Sequence, residues 1–223
     1  MLIEHNKSVD DLSFATIFSS IRVRVTSNWI RARVNDPAFP ARVSAIFIGA
    51  RNDDIVVQKN KIKSASGNGI DITNSGELGT TPAAPRNVIV RKNKVEHAQL
   101  SGIEVLATGD RQYQVLANRS RNNTRFGIHF APATKGGTVT GNTALGNEVD
   151  CRDQTTGPLN TWTGNVGVSS LPAALCSAPT LDDDPGHDKN KKKFKKHKKH
   201  HKKTKKQKQH RPDPCACTLP WHY

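Results

Sequence analysis

Short stretches of alternating apolar and polar residues recur along the first three quarters of the chain. One copy reads Gly102-Ile103-Glu104-Val105, and 25 residues later another reads Gly127-Ile128-His129-Phe130. A second apolar stretch follows each copy and ends in an asparagine, Asn118 or Asn142. Alternation with period two predicts a β-strand with one buried face. The pattern therefore predicts a repeat of short strands, and it shows no helical period.

The asparagine is the most regular member of this repeat. It recurs at steps of 22, 32, 33, 25, 24 and 23 residues, at Asn6, Asn28, Asn60, Asn93, Asn118, Asn142 and Asn165. Asparagines stacked at one corner of successive coils can bond to one another and satisfy buried polar groups. We expect each asparagine to take the left-handed backbone conformation that a tight corner needs.

A repeat of this length, built from short strands, is typical of a parallel β-solenoid, in which stacked coils share one core. The two long steps are explained by loops that project from the coils over residues 34–44 and 74–86. The Gly-Ile-x-Ile and Val-x-Val-x-x-Asn lines resemble the right-handed parallel β-helix of the pectate-lyase-like superfamily. The resemblance covers about residues 1–167. It implies an all-β fold of about six to seven coils.

The resemblance indicates the fold more specifically than the activity, because the superfamily includes lyases, hydrolases, epimerases and proteins without known activity. Its enzymes carry their sites on an outer strand face. The middle residue of each Gly-Ile-x-apolar strand should point outward. Reading this position from coil to coil gives Ala15, Phe47, Asp71, Glu104, His129 and Arg152.

Coils lie about 4.8 Å apart, so the last four residues predict a continuous ionisable row on the solenoid surface. Adjacent carboxylates raise one pKa, and a neighbouring histidine can share a proton. Carboxyls about 5 Å apart also suit retaining glycoside hydrolysis. Asp71, Glu104, His129 and Arg152 are therefore the candidate catalytic residues. The alternative is a solvated face whose charges form ordinary ladder pairs.

Other carbohydrate signals are weaker. Asn52-Asp53-Asp54 resembles the paired aspartates of polygalacturonases, but a turn before a strand explains the same residues. A pectate lyase would bind calcium through clustered acidic residues beside a basic catalyst. Asp71 and Glu77 are the candidate ligands here, and Arg91 is the candidate base. We predict no other cofactor and no metal site. The aromatic residues that could stack on sugars are Trp29, Phe39, Phe47 and Tyr113, whereas Phe14 and Phe126 match core positions.

The four cysteines all lie in the last third of the chain. Cys151 stands where other coils have an inward isoleucine, and a disulfide to Cys176 would pin a closing segment, about residues 166–176, over the last coil. Such a disulfide closes a loop of roughly 25 residues, which stabilises the fold by about 3 kcal/mol in the chain-entropy model. It also implies an oxidising compartment. Two reduced, buried thiols are the alternative. Cys215 and Cys217 could form a disulfide, a metal contact or part of a docking peptide.

The formal net charge of +15 belongs mainly to the C-terminal tail. We predict a β-helix domain over 1–176, a linker over 177–188, a disordered Lys/His-rich tail over 189–211 and a Cys-x-Cys peptide over 212–223. The tail should attract polyanions, without specific nucleic-acid recognition. The predicted contacts are Lys191, Lys192, Lys193, Lys195, Lys196, Lys198, Lys199, Lys202 and Lys203. Irregularly spaced histidines in the tail could also bind transition metals.

The N-terminus begins partway through a coil, since Leu2 to Lys7 align with Val56 to Lys61. No cap and no signal-peptide pattern is visible there, so we expect a truncated or mis-started chain that has lost upstream coils. No apolar run reaches the roughly 18 residues of a membrane span.

Together these features predict a secreted or cell-surface monomer that binds polysaccharide or anionic envelope polymers, with the basic tail as adhesive. One alternative is a carbohydrate-active enzyme (polysaccharide lyase, glycoside hydrolase or epimerase) that uses Asp71, Glu104 and His129. The other is a structural spacer without a ligand.

Overall fold

The computed structural model describes residues 1–32, 43–74, 83–110, 112–156 and 159–180. Within these ranges the chain forms 22 strands and no helix. The strands are β1 (Leu2–Glu4), β2 (Lys7–Asp11), β3 (Ala15–Ile17), β4 (Ile21–Thr26), β5 (Trp29–Ala32), β6 (Ile46–Ile48), β7 (Asp53–Gln58), β8 (Lys61–Lys63), β9 (Ile70–Ile72), β10 (Arg86–Arg91), β11 (Lys94–Glu96), β12 (Ile103–Val105), β13 (Gly109–Asp110), β14 (Tyr113–Leu116), β15 (Arg119–Arg121), β16 (Phe126–Phe130), β17 (Thr134–Lys135), β18 (Thr138–Thr140), β19 (Thr143–Leu145), β20 (Val149–Asp153), β21 (Thr161–Thr163) and β22 (Ser170–Leu171).

The strands stack into three long parallel sheets. Sheet 1 has the order β1-β4-β7-β10-β14-β18-β21, sheet 2 has β2-β5-β8-β11-β15-β19, and sheet 3 has β3-β6-β9-β12-β16-β20-β22. A fourth, two-stranded sheet pairs β13 with β17. Each of the first six coils contributes one strand to each long sheet in turn, and the seventh contributes β21 to sheet 1 and β22 to sheet 3. The prediction of an all-β parallel β-helix of about six to seven coils is confirmed.

The core is a set of apolar columns that run from coil to coil. In sheet 3, one column contains Ile46, Ile70, Ile103, Ile128 and Cys151, which pair in register and are fully buried. Each such side chain stabilises the fold by about 1.5 to 3 kcal/mol relative to exposure. Because the coil alone has only one apolar face, this stabilisation depends on stacking.

The seven repeat asparagines form one continuous ladder at the corner between sheets 1 and 2. In each step an amide nitrogen donates to the Oδ1 of the next asparagine; for Asn93 and Asn118 the distance is 3.0 Å. The same side-chain nitrogen also donates to a backbone oxygen, as from Asn118 to Val90 at 2.8 Å. The steps join Asn6, Asn28, Asn60, Asn93, Asn118, Asn142 and Asn165.

The expected backbone conformation of these asparagines is wrong. The left-handed residue is the one before each asparagine, with φ between 51° and 64°, at His5, Ser27, Lys59, Lys92, Ala117, Gly141 and Gly164. The preceding residue makes the bend, and it thereby frees the asparagine to point inward and bond along the stack.

The glycine of the Gly-Ile-x-apolar strands is required by close packing between coils. A Cβ on Gly102 would lie 2.9 Å from the backbone oxygen of Gly127, and one on Gly127 would lie 2.5 Å from that of Asp150. Real Cβ atoms do not approach backbone oxygens so closely. The glycine therefore recurs directly before Ile70, Ile103 and Ile128 in three successive strands of sheet 3.

The predicted disulfide between Cys151 and Cys176 is present, with the two Cα atoms 6.1 Å apart. It links β20 to the segment that follows the last coil. Other sequence predictions lie outside the described residues: most of the loop over 34–44, much of that over 74–86, Phe39, Glu77, Cys215 and Cys217, and the tail lysines Lys191, Lys192, Lys193, Lys195, Lys196, Lys198, Lys199, Lys202 and Lys203. The predicted domain boundaries therefore stay predictions.

Candidate functional site

Sheet 3 carries the four candidate catalytic residues in neighbouring strands. Asp71 on β9 pairs in register with Glu104 on β12, which pairs with His129 on β16, which pairs with Arg152 on β20. We call these four residues the ionisable row. The series of outward residues that leads to this row was predicted to begin at Ala15, which is one residue too early. Thr16 is the residue that pairs with Phe47, whereas Ala15 pairs with Ile46 and faces the core.

The row does not lie on a solvated surface, so this expectation is wrong. Asp71, Glu104 and His129 are only 8%, 5% and 5% exposed. Their backbones point them away from the apolar core, yet the surrounding chain covers them. Burial makes each charge costly unless it has a partner.

Glu104 and His129 meet this cost by bonding to each other. The Nδ1–H of His129 donates to Oε1 of Glu104 at 2.8 Å, and its Nε2 lies 2.7 Å from Oε1 of Gln154. Phe126 packs against the imidazole with ring centroids 4.6 Å apart. Both ring nitrogens are therefore engaged, and the imidazole is held in one orientation.

Asp71 has a different environment. Its Oδ2 accepts hydrogen bonds from Oγ of Ser44 at 3.0 Å and from Nδ2 of Asn68 at 3.2 Å. Its Oδ1 is buried and has no hydrogen-bond partner within the described residues. Burial, and next the nearby carboxyl of Glu104, raise the pKa of Asp71 to about 6, against the lowering effect of the two hydrogen bonds.

An open cavity lies beside Asp71. It has a volume of about 310 Å³ and is lined in part by Phe18, Phe47 and Ser44. The rings of Phe18 and Phe47 lie 5.4 Å apart at an angle of 52°. Asp71 thus borders a space large enough for a ligand.

Arg152 ends the row and stacks on an aromatic ring. Its guanidinium lies 4.5 Å from the ring centroid of Phe126, and that of Arg125 lies 4.9 Å from the same ring. The Nε of Arg152 is buried without a hydrogen-bond partner among the residues the structure describes. Arg152 therefore packs beside the Glu104–His129 pair through Phe126.

Sheet 2 has an outer face of a very different kind, which the sequence analysis missed. Its outward side chains form two columns, which we call the basic face. One column is Lys7, Trp29, Lys61, Lys94, Arg119 and Thr143, and the other is Val9, Arg31, Lys63, Glu96, Arg121 and Leu145. Between them lie the inward residues Ser8, Ile30, Ile62, Val95, Ser120 and Ala144, which are buried.

The charge of this face is almost all of one sign: seven Lys or Arg side chains and one Glu. Glu96 is held by Lys94 at 2.9 Å, and at the edge Arg31 lies 3.4 Å from Asp10. Lys61 and Lys63 are exposed at the centre. The sequence signal was a basic residue directly after the ladder asparagine, as in Asn60-Lys61-Ile62-Lys63. It was hidden by the much larger charge of the tail.

The remaining sequence candidates are mostly structural. Asn52 is buried in a turn, where its amide donates to the backbone oxygens of Ile17 and Gly49. Tyr113 is fully buried and its hydroxyl donates to Pro85, so its proposed role in stacking on sugars is wrong. Trp29, at 37% exposure, stays available on the basic face.

The comparisons with known proteins identify the family. A family model described as periplasmic copper-binding protein (NosD) matches residues 4–170. The chain belongs to this family. No curated protein and no solved structure matches the chain. The NosD match over residues 4–170 covers nearly all of the described β-helix.

The described residues do not fit the copper centre that the NosD description suggests. Copper sites use several His, Cys or Met ligands at one point. Within the described ranges no group of three or more His, Cys, Asp or Glu residues could hold a metal ion. His129, the histidine of the row, has both nitrogens engaged by Glu104 and Gln154. The family description also leaves the prediction of no cofactor unconfirmed.

Across the described residues, no helix has the length and apolar character to cross a membrane.

Proposed function

We propose that this protein binds an anionic polysaccharide along the basic face of sheet 2, outside the cytoplasm. The observation that carries the proposal is the register of Lys61, Lys94 and Arg119, which stack on three adjacent strands with no acidic residue between them in their column. Like charges on neighbouring strands destabilise a sheet. A bound polyanion would relieve this repulsion, so the arrangement favours a binding role over a purely structural one.

The shape of the face suits an extended polymer. Six strands at about 4.8 Å give a flat surface roughly 24 Å long, with cations in two parallel columns. Trp29 lies between Lys7 and Lys61 in register, and Nζ of Lys7 lies 5.4 Å from the centre of its ring. An exposed aromatic ring beside cations supports recognition of a sugar that carries acidic groups.

Two findings support a location outside the cytoplasm. The NosD family is described as periplasmic. The Cys151–Cys176 disulfide is typical of an oxidising compartment such as the periplasm or cell surface.

The enzyme alternative has less support from the geometry of the ionisable row. A general acid or base has to reach the substrate. Glu104 and His129 are 5% exposed, Oε1 of Glu104 is bonded to His129, and both ring nitrogens of His129 are engaged. Their arrangement supports a role in stability.

The test compares two triple variants of the full chain. Arg31→Gln, Lys61→Gln and Lys63→Gln remove three charges from the basic face. Arg22→Gln, Arg24→Gln and Lys135→Gln remove three exposed charges elsewhere and serve as the matched control. Binding to polygalacturonate and to dextran sulfate is measured by calorimetry at several salt concentrations, with uncharged dextran as the neutral polymer. Both variants keep the basic tail, so its contribution cancels.

We expect the basic-face variant to lose at least about tenfold in affinity and to show a smaller salt dependence. The control should lose no more than about threefold. Equal losses in the two variants would show that net charge or the tail is responsible. If the unaltered protein binds neither anionic polymer, the proposal is wrong and the spacer alternative is favoured.

A further inference from the structure

The cavity beside Asp71 on sheet 3 has the composition of a binding site for a positively charged ligand. We propose that it binds a small organic ammonium group, such as the amine of an amino sugar or of an amino acid. This site lies on a different sheet from the basic face and takes a ligand of the opposite charge, so the proposal goes beyond polysaccharide binding.

The lining selects against anions and in favour of cations. Its polar side chains are the hydroxyls of Ser13, Thr16 and Ser44 and the carboxyl of Asp71, with no Lys, Arg or His among the described lining residues. Hydroxyls can accept hydrogen bonds from an ammonium group, and a carboxylate adds charge. Among the described residues of the cavity wall, the carboxyl of Asp71 thus has no counter-charge.

Asp71 itself lacks the partner that its burial calls for. It is 8% exposed, and its Oδ1 has no hydrogen-bond donor within the described residues. The charged group next to it in register is Glu104, which has the same sign and bonds to His129. A buried carboxylate without a counter-charge is costly, and an ammonium group in the cavity would supply that charge.

The raised pKa of Asp71 agrees with this geometry. Burial and the proximity of Glu104 raise its pKa to about 6. A cation in the cavity would stabilise the ionised form of the carboxyl and lower its pKa.

The aromatic wall and the size of the cavity complete the site. Phe18 and Phe47 form a tilted pair at 5.4 Å, and Phe18 is 38% exposed. Cations bind favourably to the faces of aromatic rings. The volume of about 310 Å³ equals roughly ten water molecules, which is enough for one sugar ring or one amino-acid side chain.

The first test needs no variant, because two sugars differ only at the amine. Glucosamine carries an ammonium group, and N-acetylglucosamine has the same ring with that charge removed. Each is titrated into the full chain at neutral pH and followed by amide chemical shifts in NMR. Lysine methyl ester is titrated in parallel and distinguishes an amino-acid source from an amino-sugar source of the ammonium group.

The second test removes the proposed charge from the site. Asp71→Asn keeps the shape of the side chain, and Glu148→Gln, an exposed site, makes the same change in net charge as a control. Phe47→Leu removes the ring while keeping apolar volume, and it also tests the site if Asp71→Asn does not fold.

We expect at least one of the two amines to bind about tenfold more tightly than N-acetylglucosamine, with shifts at residues around Asp71 and Phe47. Asp71→Asn should weaken that binding about tenfold and Phe47→Leu about threefold, while Glu148→Gln should leave it unchanged. The proposal is overturned if neither amine binds better than the neutral sugar. It is equally overturned if Asp71→Asn binds as tightly as the unaltered protein.

Discussion

The outer faces of sheets 2 and 3 both arise from the stacking of coils, but they differ in solvent exposure. On sheet 3, Asp71, Glu104 and His129 are almost completely buried, and Glu104 and His129 are bonded to each other. On sheet 2, Lys61 and Lys63 are exposed beside further cations. A parallel β-helix thus stacks residues into rows, but the cover over each row decides whether the row stabilises the fold or contacts a partner.

Substituting one glutamate on each of the two sheets tests this comparison most directly. Glu104→Ala on sheet 3 should lower the free energy of unfolding by about 3 to 5 kcal/mol, because it leaves His129 buried without its partner. Glu96→Ala on the basic face removes a partly exposed pair with Lys94 and should cost at most about 1 kcal/mol. Urea unfolding of both variants measures the difference. Equal effects would contradict the distinction between the two faces.

The pH dependence of stability sharpens the account of sheet 3. Because the folded-state pKa of Asp71 is raised to about 6 from 3.8, the cost of keeping its charge buried is absent below about pH 4, grows between about pH 4 and 6, and is constant at higher pH. The unaltered protein should therefore lose about 3 kcal/mol relative to Asp71→Asn between pH 4 and pH 7. Thermal or urea unfolding of both proteins across this range checks it; a constant difference between them would contradict it.

Binding to an anionic polymer should respond to the two faces in the reverse order. Neutralising Arg31, Lys61 and Lys63 should weaken binding by at least about tenfold, which is about 1.4 kcal/mol. Glu104→Gln on sheet 3 keeps the shape of the side chain and should leave the affinity within about twofold, because the row is buried. The same calorimetric titration measures both. A larger effect from Glu104→Gln would place the contact surface on sheet 3.

The smallest expected effect concerns the stability of the basic face itself. Lys61→Gln together with Lys63→Gln should raise the free energy of unfolding by a few tenths of a kcal/mol at low salt, because it relieves repulsion between neighbouring strands. The gain should disappear in about 1 M salt, where charges are screened. Unfolding at both salt concentrations tests this, and a loss of stability at low salt would show that these cations have stabilising partners.

Repetition made the fold predictable from the sequence. The spacing of Asn118 and Asn142, and the recurring Gly-Ile-x-apolar strands, are local signals that repeat often enough to define a coil. The inward position of Cys151 followed from the same alignment, and the disulfide to Cys176 is confirmed. The first copy was harder, because Ala15 and Thr16 lack the glycine that precedes Ile70, Ile103 and Ile128, and the register was placed one residue early.

The candidate site was less predictable, because strand alternation gives direction without giving exposure. Asp71 and Lys61 both occupy outward positions, and the alternation pattern treats them alike. The burial of Asp71 comes from distant segments, including Ser44, 27 residues earlier in the chain. The pairing of His129 with Gln154 likewise joins residues 25 apart.

The sequence by itself determined the coil, its period and the rows of residues that stacking brings together, because these depend on local alternation and on a repeated corner asparagine. Only the tertiary structure decided that the row of Asp71, Glu104 and His129 is covered and that the cations of sheet 2 form an exposed face. The physical reason is that solvent exposure depends on what packs over a strand. That cover is supplied by residues far away in the chain, which no local pattern records.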